Sequence, residues 1–252
     1  ATVEGDRRAS AIFVARQGLV IAGLDVALEV FRALDPAIDW ETRAREGDRF
    51  EPGNPIASIT GPARGILTGE RVALNFLQRM SGIATLTRAF VDEVAGTRAR
   101  IRDTRKTTPL LRLLEKRAVQ VGGGVPHRSG LHSAILVKDN HVLMAGSVRE
   151  ATRRAVAAAG DLHVEVEVDR LDQVEEAVAE GAHMVLLDNF TPEQVEAAVA
   201  LVAGRVPVEV SGGIRLETVR AYAEAGPDFI AVGAITHSAA ALDISLDFEP
   251  AE

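Results

Sequence analysis

Hydrophobic and polar positions follow one regular pattern after residue 95. Short apolar runs that each end in a polar residue are followed by stretches rich in Ala, Glu and Arg. Four of the runs end at Glu167, Asp188, Ser211 and Gly233, and their spacing of roughly 22 residues is that of a strand, a helix and two short loops. The pattern therefore predicts repeated βα units.

Six consecutive βα units are predicted within 96–244. The predicted strands are 98–104, 134–138, 163–167, 184–188, 208–211 and 229–233, and the predicted helices are 109–119, 148–159, 171–180, 192–202, 216–225 and a last one starting near Ser238. Consecutive units of this kind give parallel strands with right-handed crossovers. A doubly wound sheet stays open, but the short regular units favour an α/β fold with an incomplete (β/α) barrel.

The first part of the chain, 1–95, has a different pattern and predicts a smaller α/β N-terminal domain. A strand-like run at 19–22 precedes a predicted helix at 25–33, and turns rich in Gly and Pro separate short strands after it. A long helix is predicted over 70–95, with an interruption near Ser81-Gly82. We expect the C-terminal tail, 245–252, to pack on this domain.

The distribution of charge adds a candidate pocket to this fold. The chain has a net charge of −8, yet the stretch from Arg98 to Lys138 has ten basic and two acidic residues. Positive charge concentrated in an acidic chain indicates a site for a polyanionic small molecule. Nucleic acid is a disfavoured partner, because the basic stretch has no interleaved aromatic residues and the chain has no overall basic excess.

Composition also limits the cofactors and the compartment. The chain has no cysteine, which excludes disulfides and Cys-ligated metals, and the histidine spacing does not suggest zinc. No apolar run approaches the roughly 20 residues that span a bilayer, and no signal peptide precedes Ala1. We therefore expect a cytoplasmic protein with no membrane partner.

Polar residues follow every predicted strand of the barrel, where ligands of (β/α) barrels bind. In chain order they are Arg105 and Lys106, then Lys138, Glu167, Asp188, Ser211-Gly212-Gly213 and Gly233. The glycine turns, with His237 nearby, are typical of phosphate cradles, although they could be tight turns only. The carboxylates can hold Mg²⁺, directly or through water, or contact ribose hydroxyls, although an ion pair with the basic residues is the alternative.

For the other charged residues and the glycine-rich loop, the sequence predicts mainly structural roles. Glu165 and Glu167 share one strand face, so at least one of them must be paired in a packed interior. The helix residues Arg112, Lys116 and Arg117 are expected to form a solvated face. The three glycines at 122–124, before His127 and Arg128, would let the backbone pass close to a ligand, with a plain flexible loop as the alternative.

Nine segments in this order resemble the quinolinate phosphoribosyltransferase family over nearly the whole chain. The matching segments are 70–75 (ERVALN), 81–85 (SGIAT), 102–107 (RDTRKT), 122–128 (GGGVPHR), 138–141 (KDNH), 165–168 (EVEV), 187–190 (LDNF), 209–213 (EVSGG) and 232–238 (VGAITHS). The resemblance implies an α/β domain followed by an incomplete barrel. It also implies transfer of phosphoribose from phosphoribosyl pyrophosphate to quinolinate with decarboxylation, giving nicotinate mononucleotide for NAD biosynthesis, with Mg²⁺ as cofactor.

By position, the resemblance assigns roles to individual residues. The residues implied to bind quinolinate are Arg71, Thr104, Arg105, His127, Arg128 and Lys138. Those implied to bind phosphoribosyl pyrophosphate are Lys106, Glu167, Asp188, Ser211, Gly212, Gly213, Gly233, Ala234 and His237. Lys106, Lys138, Glu167 and Asp188 are the implied catalytic residues, and the last two are the implied metal ligands. Since the arginine that matches Arg71 reaches the site from the partner subunit, a homodimer, or a hexamer of dimers, is implied.

The chain departs from the family pattern at three places, and two other functions stay open. Family members usually begin with helices that precede the residue matching Ala1, and Ser133 and Arg117 replace a common Asp and a common aromatic. One alternative is the phosphoribosyltransferase-like protein of molybdenum-transport loci, against which Lys138 argues. The other is a non-catalytic binding module, since 46–75 resembles half of a lipoyl-type domain but contains no lysine.

Overall fold

The computed structural model describes residues 3–249, which fall into two compact units. Among the described residues, the first unit comprises 3–88, 113–123 and 238–249, and the second comprises 89–112 and 124–237. The boundary expected at residue 95 stays a prediction, and residues 250–252 of the expected tail lie outside the described residues. Within 3–249, no helix is both long and apolar enough to cross a membrane.

The first unit is built on an antiparallel sheet. Its elements are β1 (Arg8–Ala15), β2 (Leu19–Val20), α1 (Leu24–Leu34), β3 (Asp39–Glu41), β4 (Arg49–Phe50), β5 (Pro55–Pro62), most of α2 (Ala63–Glu93), most of α3 (Arg112–Val121) and β12 (Ile244–Phe248). The sheet has the order β12-β1-β5-β3, and β2 pairs with β4. The C-terminal strand therefore joins the first unit by antiparallel pairing with β1.

The core of the first unit is apolar and includes a cluster of three aromatic rings. Phe13, Phe31 and Trp40 contact one another, with ring centroids 5.0 to 6.2 Å apart. Gly23 is the N-cap of helix α1, and its left-handed φ of 94° is accessible to glycine at little cost. The Glu46 carboxylate accepts the N–H groups of Gly23 and Leu24, so a remote acid satisfies donors that the first helical turn leaves open.

Helix α2 is continuous over 31 residues, so the predicted interruption near Ser81 and Gly82 is wrong. Both residues make packing contacts instead of a break. The Ser81 hydroxyl accepts the Ala22 N–H at 3.1 Å. A Cβ on Gly82 would lie 1.9 Å from the Ala240 carbonyl oxygen. The small residues are therefore explained by neighbouring chain that passes close to the helix.

The second unit contains a six-stranded parallel sheet. Its elements are β6 (Arg100–Arg102), β7 (Ile135–Val137), α4 (Asp139–Ala145), α5 (Val148–Ala158), β8 (Val164–Val168), α6 (Leu171–Ala179), β9 (Met184–Asp188), α7 (Pro192–Val202), β10 (Val208–Ser211), α8 (Val219–Glu224), β11 (Phe229–Ala231) and α9 (Ala234–His237). The strand order is β6-β11-β10-β9-β8-β7. Because β6 and β7 are the two edges, the sheet is a barrel that does not close, as the sequence predicts.

Two predicted helices differ from the structure. The helix expected from 216 begins at Val219, and the helix expected from about Ser238 is wrong, because a four-residue helix ends at His237. The chain after it runs without helix to β12. Helix α4 was not predicted. It begins inside the motif Lys138 to His141, with Lys138 as its N-cap, and the sequence indicates this motif only as candidate chemistry.

Candidate functional site

The candidate polar residues of the second unit lie where its parallel strands end. Ser211 of β10 is in register with Asp188 of β9, and Glu167 of β8 is in register with Leu186. Arg102 is in register with Ala231, so the segments after β6 and β11 start at the same level. The carboxyl ends of six neighbouring strands therefore present these side chains at one rim, the usual ligand side of such a barrel.

Lys138 is held at the rim by local backbone capping. It lies at the N-cap of α4 and its backbone N–H donates to the His141 ring Nδ1 at 2.9 Å. Its ammonium donates to Glu167 Oε2 at 2.9 Å, while its side chain stays 48% exposed. The motif at 138–141 thus fixes a lysine whose charge is paired by Glu167 and still accessible. An ion pair with the basic residues is the alternative role that the sequence predicts for the carboxylates, and Glu167 does form such a pair with Lys138.

The Asp188 carboxyl is partly buried and is influenced by the positive charges of two rim lysines. Burial raises the pKa of its carboxyl, and the positive charges of Lys138 and Lys106 act in the opposite direction. Its Oδ2 also accepts the Asn189 side-chain N–H at 2.8 Å. A partly buried carboxylate of this kind gains from a further cation, because its charge is poorly solvated.

The glycine turn after β10 is shaped by Asn189. Gly212 has a φ of 106°, and a Cβ there would lie 2.3 Å from Asn189 Oδ1. Asn189 itself has a φ of 59°, and its N–H donates to the Ser211 carbonyl at 2.9 Å. The next residue, Gly213, has a φ of 60° with open space at its Cβ position. The turn therefore needs glycine for its conformation and also leaves its outer side open.

The turn after β11 brings Lys106 beside His237. A Cβ on Gly233 would lie 3.2 Å from His237 Nε2 and 3.3 Å from Lys106 Cδ. The Thr236 hydroxyl donates to the Lys106 carbonyl at 2.8 Å, a contact that sequence reasoning missed. Helix α9 starts at Ala234, and the first N–H groups of a helix have no intrahelical acceptor.

Arg105 and Arg128 are a pair of partly buried cations among the rim residues. Within 3–249, the Nε–H group of each is buried without a hydrogen-bond partner. Burial lowers the pKa of the Arg128 guanidinium, the charge of Arg105 lowers it further, and the negative charge of Glu165 opposes both. Arg128 Nη1 donates to the Ala134 carbonyl at 3.0 Å. Thr104 lies before them and its Oγ1 accepts the Lys106 N–H at 3.0 Å.

Charged groups also occupy the barrel interior below this rim. His127 Nε2 lies 3.0 Å from Glu165 Oε2 and 3.6 Å from Glu209 Oε1, while the Arg102 guanidinium donates to Glu209 Oε2 at 2.5 Å. The expectation that Glu165 or Glu167 is paired is confirmed, since both are. Sequence reasoning missed Arg102 and Glu209, although strand alternation places Glu209 on the face of Ser211.

Two carboxylates of the second unit have the donor chemistry for a metal at the rim, namely Glu167 and Asp188. The interior group His127, Glu165 and Glu209 has donor atoms within 4.8 Å of one another, which is close enough for an ion. However, the Arg102 guanidinium and the His127 ring already contact its carboxylates.

Four further basic residues that the sequence analysis singled out do not lie at the ends of the parallel strands. Arg71 lies exposed on α2 in the first unit. The expected solvated face is wrong for Lys116, which is 5% exposed, while Leu113 on the same helix is 77% exposed. Arg117 pairs with Asp25 at 2.7 Å, and Arg112 donates to the Thr107 hydroxyl at 3.1 Å.

Family models and relatives identify the family of this chain. The model described as Quinolinate phosphoribosyl transferase, N-terminal domain, matches residues 1–81, and the C-terminal domain model matches residues 83–247. A Mycobacterium leprae protein named nicotinate-nucleotide pyrophosphorylase (carboxylating) is 48% identical over 252 residues, covering 98% of this chain and 89% of that protein. A Bacillus subtilis protein with the same name, marked probable, is 42% identical over 247 residues, covering 98% and 86%.

A solved structure agrees with this result over both units. NadC from Streptococcus pyogenes is 42% identical with a TM-score of 0.95, over 99% of this chain and 89% of that chain. The two family models, the near-full-length relatives and the fold together show that the chain belongs to the quinolinate phosphoribosyl transferase family.

Proposed function

We propose that this chain transfers phosphoribose from phosphoribosyl pyrophosphate to quinolinate with loss of CO₂, giving nicotinate mononucleotide and pyrophosphate for NAD biosynthesis. The relatives named carboxylating pyrophosphorylases support the reaction. The observation that supports it most is the pair of buried guanidinium Nε–H donors of Arg105 and Arg128, which have no hydrogen-bond partner in the part of the chain that the structure describes. Such donors need acceptors, and a planar dicarboxylate provides them. A cytoplasmic location stays a prediction.

Quinolinate is proposed to bind among the cations of the rim. Arg105 and Arg128 can form bidentate contacts with carboxylates, and Lys138 adds an accessible ammonium, with Thr104 and His127 beside them. Arg71 lies in the first unit, exposed on α2, and is proposed to complete the pocket of a partner subunit. This arrangement requires a homodimer, alone or within a hexamer of dimers.

The phosphoribosyl donor is proposed to bind along the adjacent strand ends. Main-chain N–H groups of the turns Ser211-Gly212-Gly213 and Gly233-Ala234 suit the 5′-phosphate, with His237 and Lys106 at its side. Glu167 and Asp188 are proposed to accept hydrogen bonds from ribose hydroxyls. Glycosyl transfer then needs the quinolinate nitrogen and the ribose carbon held in register, which is a matter of positioning.

The rim carboxylates also fit the Mg²⁺ that the family implies. Glu167 and Asp188 offer the hard oxygen donors that Mg²⁺ takes, usually one or two carboxylates together with substrate phosphates and water. The partial burial of Asp188 favours a cation beside it. When bound, Mg²⁺ would neutralise charge on the departing pyrophosphate.

The reaction explains why the site has many cations and few acid–base groups. The ring nitrogen forms a bond to ribose C1 as the bond to pyrophosphate breaks, and the nitrogen becomes a pyridinium. The bond between C2 and its carboxylate then breaks, CO₂ leaves, and the electron pair stays on C2 until it takes up a proton. The cationic nitrogen stabilises that carbanion, so Arg105, Lys106, Arg128 and Lys138 need only hold and neutralise the anions.

Lys138→Ala tests this function at the rim. We expect the fold to remain intact and kcat/KM with quinolinate and phosphoribosyl pyrophosphate to fall by at least about a hundredfold, the typical effect of removing a positioned charge donor. Arg149→Ala is the matched control, because Arg149 is an exposed helix residue outside the proposed site. Circular dichroism confirms folding, and retained turnover in Lys138→Ala would remove the lysine from the mechanism.

A further inference from the structure

The barrel interior of the second unit has a buried polar network where branched apolar residues are usual. Glu209 is fully buried and Glu165 is 6% exposed. The Arg102 guanidinium also lies 4.5 Å from the centre of the Phe229 ring and 3.5 Å from Met184 Sδ. A charged group in such surroundings is costly unless it is paired, so this network calls for a role beyond packing.

The hydrogen bonds of His127 identify its tautomer. The Arg128 backbone N–H donates to His127 Nδ1 at 2.7 Å, so Nδ1 is the acceptor nitrogen and the ring proton lies on Nε2. Nε2 lies 3.0 Å from Glu165 Oε2, so a proton on Nε2 faces that carboxylate. Both ring nitrogens are therefore engaged by the protein. The His127 backbone N–H also donates to Asp103 Oδ1 at 2.7 Å, which fixes the main chain on the other side of the ring.

The network continues from His127 to the cation pair of the rim. The N–H that contacts His127 Nδ1 belongs to Arg128, and the positive charge of Arg105 lowers the pKa of the Arg128 guanidinium. Glu165 is the acid whose charge stabilises the Arg128 cation against that neighbour. One carboxylate thus contacts the His127 ring and opposes the repulsion between the two arginines. A displacement of the Glu165 carboxylate would therefore affect both the His127 ring and the Arg128 guanidinium.

We propose that Glu165 is a positioning residue for quinolinate, supported by the Glu209–Arg102 ion pair. From inside the barrel it holds the His127 ring, and through the 127–128 main chain it sets where the Arg128 guanidinium meets the substrate. This inference rests on the function proposed above. It makes His127 a connecting residue between the interior and the rim, since its two nitrogens face Glu165 and the Arg128 backbone.

The essential feature of Glu165 in this proposal is the oxygen that accepts the His127 Nε2–H. Glu165→Leu removes that acceptor, whereas Glu165→Gln keeps an oxygen of similar reach. We expect Glu165→Leu to raise the KM for quinolinate at least about tenfold and the KM for phosphoribosyl pyrophosphate less than about twofold. Glu165→Gln should stay within about threefold of the parent protein for both substrates. Glu196→Leu and Glu196→Gln, on the exposed face of α7, are the controls.

A double-mutant cycle separates positioning from general destabilisation. If Glu165 acts through His127, Glu165→Leu should add no further loss of quinolinate affinity in a His127→Ala background. Additive effects, an unchanged quinolinate KM in folded Glu165→Leu, or equal damage in the Gln and Leu variants would each overturn the proposal. Equal losses for both substrates together with a lowered thermal midpoint would reduce Glu165 to a structural role, which also contradicts it.

Nitrogen NMR of the parent protein tests the network without any turnover. With histidines labelled with ¹⁵N and His127 assigned by its Ala variant, Nε2 should be protonated and Nδ1 should be an unprotonated acceptor. A proton on Nδ1, or a metal ion bound at Nε2, would overturn the proposal even if Glu165→Leu fails to fold. Absence of quinolinate turnover in the parent protein, with the Nε2–H tautomer present, would instead contradict the proposed function alone.

Discussion

Glu209 shows how one buried side chain links the interior of the barrel to solution pH. It is fully buried, and the pKa of its carboxyl is raised from 4.5 to about 7, with burial as the largest cause. The negative charge of Glu165 adds to that rise, while Arg102 and His127 oppose it. Because the native state holds this proton more tightly than the unfolded chain does, the group stabilises the fold at low pH and loses that effect as pH rises to about 7.

Glu209→Gln should remove this pH dependence, since an amide resembles the protonated acid and does not ionise. The free energy of unfolding of the variant, relative to the parent protein, should rise by roughly 3 kcal/mol between about pH 4.5 and about pH 8. Urea unfolding at several pH values measures the difference, and Glu196→Gln is the control for net charge. Parallel stability curves for parent and variant would show that Glu209 does not titrate in this range.

At the scale of elements, periodicity predicted the parallel strands and their helices well. The strands at 184–188 and 208–211 and the helix at 192–202 agree with β9, β10 and α7, because each apolar run is bounded by clear turn residues. Ser81 and Gly82 were misleading, since local propensity disfavours glycine in a helix. The contacts that explain them come from residues distant in the chain, Ala22 for Ser81 and Ala240 for Gly82, which local propensity does not include.

Gly82→Ala measures that contact directly. In an open helix position this change would stabilise by roughly 1 kcal/mol, but here the added Cβ would lie 1.9 Å from the Ala240 carbonyl oxygen. We therefore expect a loss of about 1–3 kcal/mol, the usual effect of overpacking. Asn75→Ala, on an exposed position of the same helix, is the control. A Gly82→Ala variant more stable than the parent protein would contradict the packing described here.

At the scale of the whole molecule, the sequence predicted which residues meet at the rim but not what lies below it. Parallel strands of known order bring their carboxyl ends together, so Lys138, Glu167 and Asp188 follow from periodicity. The exact partners depend on strand register and on the loop that bridges back beside β6, where Val125 pairs with Arg102. That loop brings His127 against Glu165, a contact between segments that no local pattern connects.

The expected solvated helix face failed for the same physical reason. Helix α3 follows β6 in the chain, yet most of it belongs to the first unit. There Glu115 pairs with Arg79 at 2.7 Å, and Lys116 is buried beside Glu115 in sequence. A charged residue on a helix can be assigned to solvent only if the face of the helix that packs on the protein is known. In α3 the packed face itself includes charged residues that form pairs, such as Glu115 with Arg79.

The measurement that tests the central claim most directly is release of CO₂ from quinolinate that is isotopically labelled in its 2-carboxylate. The protein is mixed with Mg²⁺ and phosphoribosyl pyrophosphate, and CO₂, pyrophosphate and nucleotide are quantified together. We predict one CO₂ and one pyrophosphate for each nicotinate mononucleotide, no release without phosphoribosyl pyrophosphate, and no nucleotide from nicotinate. Nucleotide formed from nicotinate but not from quinolinate would contradict the account.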